Sequence, residues 1–399
     1  MVTAKFIIWQ TVKCFKEEFL TLHVCMISGF YTHASGLNNV VNELSNFLAK
    51  NNVKVTIFNM YHRDFTKEFQ NYKIEGIRPY NILPDILKFS YYEAYAYSLK
   101  VWRRIKHSDH FNLIHGHNGH CFFPALLRKD IPFVMTFHGL KKAFHYKAYG
   151  PNALTLKNPR NFTLFYSEKI AAKNCDVAIA PSMAVKEELI NLYDIDSKKI
   201  KVIYNGVNTK RFRPINKKFA RKILGLPQKK KYVIWVGNNP VIKRLSLAIQ
   251  AVDELENVYL LIVGVSGSNF KNVIFCGEVQ DCRRLLFLYN AADILLFPSI
   301  YEGFPLVPLE AMSCGLPIII SDKCPTVEII RNGVEGYIIN DDDPKSYTRA
   351  IKSLLDDRVL YQTISLNCRK LAEKYSWENQ GEEYLKIYKK WQIEIDNDK

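Results

Sequence analysis

Short apolar runs bounded by polar turns alternate along most of this chain with stretches in which apolar residues recur every three or four positions. Runs at 22–28, 53–58, 113–114, 133–137, 176–180 and 201–204 read as buried strands, and 37–50 reads as an amphipathic helix. Strands separated by helical patterns predict a parallel sheet covered on both faces. The rhythm breaks at the turn-rich, basic segment 205–214 and then resumes. Runs at 232–236, 259–263, 273–276, 294–297 and 318–320 form a second series, with a helix over 245–255. The pattern predicts two doubly wound, Rossmann-like α/β domains, 21–205 and 206–375, facing across a cleft. Ligands in such sheets lie outside the carboxyl ends of the strands. Beyond them, 377–395 is a helical pattern with Tyr384, Ile387, Tyr388 and Trp391 on one stripe. Residues 1–20 also show helical spacing, with Ile8, Val12, Phe15 and Phe19 opposite Lys5, Lys13 and Lys16. That amphipathic extension is either a helix packed on the domain, an upstream start, or a membrane-surface anchor.

The formal net charge of +16 changes the picture by favouring an anionic partner. No zinc-finger spacing, basic-aromatic RNA motif or Arg tract accompanies it, so nucleic acid is not expected. Phosphorylated ligands or acidic lipid fit better. The nine cysteines are scattered without a Cys-x-x-Cys pair, which suits a reducing, cytoplasmic setting. No apolar run reaches about 18 residues, so no membrane-spanning helix is expected.

The most informative stretch is 299–321. Glu302 lies in a Gly/Pro loop after the run 294–297, and Glu310 lies eight residues on, in the helix that follows. Gly315 and Pro317 stop that helix. Eight helical residues span about 12 Å, roughly the reach from a sugar ring to the ribose of a nucleotide-sugar. The helix mouth between the two carboxylates attracts phosphate. Gly237 followed by Lys243 and Arg244 makes a diphosphate clamp or a solvated basic turn. Gly36 opens the first helix, where backbone can approach phosphate. His138 ends a strand, where ligands bind, while His115, His117 and His120 read as a strand-end loop rather than a metal site. Asp343 before Pro344 reads as a helix N-cap. Lys100 to His107 is a basic-aromatic stretch, either a solvated helix face or a contact for anionic headgroups.

Taken together these residues resemble the retaining family 4 glycosyltransferases, which have the GT-B fold. Glu302 and Glu310 match the family's Glu-x7-Glu motif, Gly333 to Gly336 its following turn, and 201–208, 136–138 and 176–182 further segments. The resemblance implies that the C-terminal segment, 376–399, returns to pack on the first domain. It implies Glu302 and His138 as catalytic-site residues, Glu310 on the ribose, and Lys243 on the diphosphate. Backbone N–H groups of Phe304, Leu306 and Val307 would hold sugar and phosphate, and Val279 would lie by the base. Three positions depart from the family: Ser35 stands in its first-domain double glycine, Asn238 where Arg is usual, and Arg244 where Gly is usual, so that either Arg244 replaces the missing guanidinium or diphosphate affinity is lower.

The activity implied is transfer of a hexose from a UDP- or GDP-sugar to an acceptor hydroxyl with retention, without metal or cofactor. The expected acceptor is a lipid-linked glycan, glycolipid or surface polysaccharide precursor, reached from the cytoplasm or from the cytoplasmic membrane face. The alternatives are another GT-B enzyme, such as a sugar-nucleotide epimerase, and a non-catalytic GT-B binding protein.

Overall fold

The computed structural model describes residues 22–30, 36–60, 65–68, 72–77, 90–108, 111–128, 130–150 and 159–397. The amphipathic extension 1–20 and the end of the Gly36 loop lie outside them. Two separate sheets organise the chain. The first contains β1 (His23–Phe30), β2 (Lys54–Met60), β3 (Phe65–Glu68), β4 (Lys73–Ile77), β5 (Leu113–His117), β6 (Phe133–Thr136), β7 (Val177–Ala180) and β8 (Ile200–Val202). Their spatial order is β3-β4-β2-β1-β5-β6-β7-β8. All pair in parallel except β3, which runs antiparallel at one edge.

The second sheet contains β9 (Lys231–Val236), β10 (Val258–Val263), β11 (Val273–Gly277), β12 (Ile294–Phe297), β13 (Ile318–Ser321) and β14 (Gly336–Ile339). Its order is β11-β10-β9-β12-β13-β14, wholly parallel. This is the doubly wound α/β fold that the periodicity predicts. The central strands are apolar on both faces: Ile294 to Phe297 and Ile318 to Ile320 are fully buried. Helices cover both sides, so neither face meets water. β3, β4 and β14 have no counterpart in the apolar runs of the sequence. All three are short edge or near-edge strands; charged residues in β3 and β4, such as Lys73 and Glu75, mask the alternation, and β14 is only four residues long.

The break at 205–214 becomes the connection between the sheets. Val207 N–H donates to Tyr375 O, and Trp377 N–H donates to Val207 O, so the outgoing and returning chains cross together. The C-terminal helix Trp377–Asn397 then packs on the first sheet's side of the molecule. Trp377, Tyr384, Leu385 and Tyr388 join the core formed by β1, β2 and the helix Gly36–Lys50. Gly381 makes room for that contact, since a Cβ there would lie 2.4 Å from the Phe47 ring.

The two halves are in contact. Ile242 and Tyr301, from loops of the second sheet, are buried in the core of the first. Glu328 accepts from the Met183 and Ala184 N–H groups at 2.7 and 2.9 Å, placing a carboxylate at the N-terminus of the helix Met183–Tyr193. No helix among the described residues is long and apolar enough to cross a membrane.

Candidate active site

In the second sheet the strand order reverses between β9 and β12. Loops leaving their carboxyl ends meet in the crevice where such folds bind ligands. The loop after β9 carries Lys243 and the loop after β12 carries Glu302. Lys243 Nζ donates to Glu302 Oε1 at 2.6 Å, and Ser299 Oγ donates to the same oxygen at 3.0 Å. Both charged side chains are largely enclosed, with 13% and 18% of their surface exposed. Poor solvation strengthens a charge-assisted bond of this kind.

Lys243 is held along its length. Its stem crosses Gly237, where a Cβ would lie 2.1 Å from Lys243 Cδ. Trp235 Nε1 donates to its carbonyl at 2.9 Å, and its ammonium lies 4.5 Å from the centre of the Phe297 ring. Asn239 closes the turn before it by accepting from the Val241 and Ile242 N–H groups. Asn238 is exposed.

Arg244 points elsewhere. Its guanidinium donates to Pro298 O at 2.8 Å, Asp342 Oδ1 at 2.5 Å and Ser321 Oγ at 3.3 Å. Three of its five N–H donors are thus turned toward Asp342, Ser321 and the Pro298 carbonyl rather than toward Glu302, and these contacts lend no support to a diphosphate role. The same residue has φ 45°, ψ 57°, a left-handed conformation. A glycine is the easy occupant of such a position, and arginine is strained there.

The helix after Glu302 begins only at Leu306, with Pro305 as its N-cap. The 12 Å helical span therefore applies only to the second half of the Glu302–Glu310 spacing. The N–H groups of Leu306 and Val307 stand in the first turn, before intrahelical bonding starts. Phe304 is buried and its carbonyl accepts from Asn205 Nδ2 at 2.8 Å. Glu310 is buried on the same helix, and the Tyr289 hydroxyl donates to its Oε2 at 2.9 Å. Burial pushes the Glu310 carboxyl up to about 7; Tyr289 and Arg211 oppose the rise, and Glu43 adds to it. Glu310 faces a small cleft, open to solvent, shared with Asn39 and Glu43 of the first half and with Asn208 and Arg211 of the connection. Val279 is half-buried in the loop after β11. Gly36, exposed at the start of its helix, has open space where a Cβ would stand.

His138 follows β6 on the opposing half. Its Nε2 and His117 Nδ1 are hydrogen-bonded at 3.0 Å, and the rings stack at 5.3 Å. Its N–H donates to Asn118 Oδ1. His115 bonds Thr136 Oγ1 at 2.8 Å and the Tyr388 hydroxyl at 2.6 Å. Burial lowers His115 and His138 to about 3, so both imidazoles are neutral near pH 7. His120 packs under Gly29, where a Cβ would lie 2.8 Å from its ring. No three His, Cys, Asp or Glu side chains gather as a metal site among the described residues.

The two half-sites touch at Gly303. A Cβ there would lie 2.2 Å from His138 O, so only glycine lets the Glu302 loop lie against the His138 loop. Ser182 Oγ donates to Gly303 O at 2.7 Å across the same seam.

Comparison with known proteins agrees with this geometry. The family model described as Glycosyltransferase Family 4 matches residues 34–211, and that described as Glycosyl transferases group 1 matches residues 216–371. The chain belongs to the family 4 glycosyltransferases of the GT-B type. It is 27% identical to an uncharacterized glycosyltransferase of Methanocaldococcus jannaschii over 349 residues, 81% of this chain and 86% of that one. The fold is shared with sucrose-phosphate synthase from Thermosynechococcus elongatus, at TM-score 0.80 and 21% identity, covering 93% of this chain and 99% of that one. It is also shared with HepE from Anabaena, solved with UDP and glucose, at TM-score 0.71 and 15% identity, covering 92% and 100%.

Several residues of this glycosyltransferase carry the site without belonging to a motif visible in sequence. Trp235 and Phe297 shape the Lys243 channel beside the clamp's Gly237, and Ser299 and Tyr301 brace the Glu302 loop. Only Ser299 and Tyr301 had a signal, their adjacency to Glu302.

Two predictions arise here. Arg244→Gly leaves UDP and GDP affinity within about threefold of wild type, whereas Lys243→Ala weakens the preferred nucleotide at least about tenfold, because only Lys243 faces Glu302. Titration calorimetry separates the two, and equal losses would restore a diphosphate role for Arg244. The second concerns Glu310. Its folded pKa of about 7 exceeds the ordinary 4.5, so the folded state holds a proton that the unfolded chain has lost. Stability therefore falls as pH rises from about 4.5 to about 7, and the penalty is complete above that. Glu310→Gln removes it: the variant's melting temperature gains on wild type as pH rises, while donor KM rises about tenfold with a smaller change in kcat. A pH-independent difference in melting temperature would reject the assignment.

Proposed function

We propose that this chain transfers a sugar from a nucleoside-diphosphate sugar, UDP- or GDP-linked, to an acceptor hydroxyl with retention at the anomeric carbon. The observation that carries the reading is the enclosed Lys243–Glu302 pair at the mouth of the helix Leu306–Ser313, with Glu310 buried on that helix. An ammonium and free helix N–H groups suit a diphosphate, and a carboxylate suits sugar hydroxyls. Support also comes from the Anabaena structure solved with UDP and glucose.

In this reading the acceptor oxygen attacks the anomeric carbon on the face from which the diphosphate departs. The bond from that carbon to the phosphate oxygen breaks as the bond to the acceptor oxygen forms. The departing phosphate oxygen takes the acceptor's proton. Lys243, with three N–H donors, serves both Glu302 and the leaving oxygen. The helix mouth stabilises the same charge, so the scheme needs no metal. Neutral His138 bonds a sugar hydroxyl from the other half, and Glu310 accepts from the ribose.

The acceptor is a lipid-linked glycan, glycolipid or surface polysaccharide precursor, met at an anionic membrane face. This rests on the net charge of +16 and on the outer helices of the first half. Arg103 and Lys106 are exposed at the end of the helix Ser90–Lys106. The adjoining helices Phe122–Leu127 and Pro159–Asn174 expose Leu126, Leu127 and Tyr166. Such a mixture suits headgroups.

The test is a thermal-shift screen of UDP-, GDP- and ADP-sugars, followed by transfer to candidate acceptors with NMR of the product's anomeric centre. A donor at 100 times its Kd adds about 2.7 kcal/mol of stability. A product with inverted configuration rejects retention, and no stabilisation by any donor rejects the donor reading.

A further inference from the structure

Glu302 sits in a segment whose neighbours are held by the opposite half of the molecule. The Tyr301 hydroxyl accepts from Leu140 N–H at 2.9 Å and donates to Glu188 Oε2 at 3.0 Å. Leu140 lies two residues beyond His138, and Glu188 lies on the helix Met183–Tyr193. Tyr301 itself is buried within the first half's core, edge-on to Phe144. One side chain, adjacent to Glu302 in sequence, is thus bonded to the backbone that follows His138.

We propose that Tyr301, oriented by Glu188, is a positioning residue that sets Glu302 against His138 when the two halves close. The proposal rests on the reading of Glu302 and His138 as the transfer site. Three observations carry it. The hydroxyl is bonded on both sides, so its direction is set. The ring is buried among first-half side chains, so packing anchors the residue just before Glu302 as well as hydrogen bonding does. The flanking bonds of Ser182 to Gly303 and Asn205 to Phe304 hold the same segment from the same side, so Tyr301 completes a continuous seam over 301–304.

Glu188 makes the device sensitive to pH. Burial raises its carboxyl to about 7, against the Tyr301 bond and Lys147, which lower it; Glu168 raises it further. Around it stand Tyr301 from the Glu302 loop, Lys147 from the helix Lys141–Tyr149, and Glu168 from the helix Pro159–Asn174. Tyr193, on the same helix as Glu188, donates its hydroxyl to Glu168, and Lys141 N–H donates to the same carboxylate oxygen. Ionised Glu188 accepts a hydrogen bond from the Tyr301 O–H and leaves the hydroxyl oxygen to accept from Leu140 N–H. Protonated Glu188 donates instead, and the hydroxyl hydrogen turns to Leu140 O at 3.3 Å, a longer bond. The Tyr301 bond to Glu188 favours the ionised form, but burial outweighs it, so ionising Glu188 costs the buried arrangement and the seam is looser above pH 7 than below it.

The test uses the full chain with Tyr301→Phe and Glu188→Gln. Tyr301→Phe lowers kcat about ten- to a hundredfold while UDP or GDP affinity stays within twofold, since Glu310 and Lys243 are untouched. Wild-type kcat falls as pH rises through about 7, and that limb flattens in both variants. Amide hydrogen exchange over 299–304, without donor, becomes at least tenfold faster in Tyr301→Phe. Turnover within twofold of wild type, a parallel loss of nucleotide affinity, an unchanged pH limb in Glu188→Gln, or unchanged exchange would each overturn the positioning role. Wild-type protein that turns over no donor overturns the transfer reading instead, and the exchange measurement then decides the seam by itself.

Discussion

Replacing Glu302 with glutamine lowers kcat by about 10²–10³-fold and leaves nucleotide affinity unchanged or tighter. The split follows from the geometry. Glu302 Oε1 accepts from Lys243 at 2.6 Å and from Ser299 at 3.0 Å. Glutamine keeps the shape and can keep the Ser299 bond, but it carries no charge to draw Lys243 aside. The ammonium is then freer to meet a diphosphate, while the carboxylate that orients the sugar is gone. Loss of a preorganised polar contact at a reacting centre is worth about 2.7–4 kcal/mol. Rapid-quench turnover paired with titration of the nucleotide measures both terms. Wild-type kcat in the variant would remove Glu302 from the chemistry, and a loss confined to KM would reduce it to a binding group.

Gly303→Ala is expected to be nearly as damaging, by a different route. The new methyl would lie 2.2 Å from His138 O and 2.5 Å from its carbonyl carbon. Both partners are backbone, so no side chain can rotate away. Either the Glu302 loop retreats from His138 or the two halves separate at the seam. We expect kcat to fall about a hundredfold. Overpacking costs typically about 1–3 kcal/mol, so the melting temperature moves modestly because the two cores are untouched. Small-angle scattering would show a larger radius of gyration if the halves part. Unchanged kcat would mean that the His138–Gly303 contact is not part of the working site.

Much of this site is legible in the order of its residues. The doubly wound halves follow from apolar runs such as 294–297 and 318–320, which have few competing readings once glycine and proline bound them. Lys243, Glu302 and Glu310 stand out because charges follow closely on buried strands or enter an apolar helix, where solvation alone would not place them. Asp343 is legible for a local reason too: its side chain accepts from Lys345 N–H two residues away, so the cap needs no tertiary partner. Arg244 is the instructive case. Its charge and position suggest phosphate, but Asp342, 98 residues away in sequence, takes its guanidinium. Sequence spacing carries no information about such a partner.

The periodicity and motif spacing of this chain determine its class, its two largely parallel sheets and the candidates for its donor side, because burial along a strand and capping at a helix are local properties. They do not determine which half-site group meets which. Glu188 lies 113 residues from Tyr301, and Tyr388 lies 273 residues from His115, yet each pair is hydrogen-bonded. Those contacts exist only because two sheets and a returning C-terminal helix pack together. Long-range packing of this kind is selected by the shape and polarity of whole surfaces, of which any one stretch of sequence holds a small part.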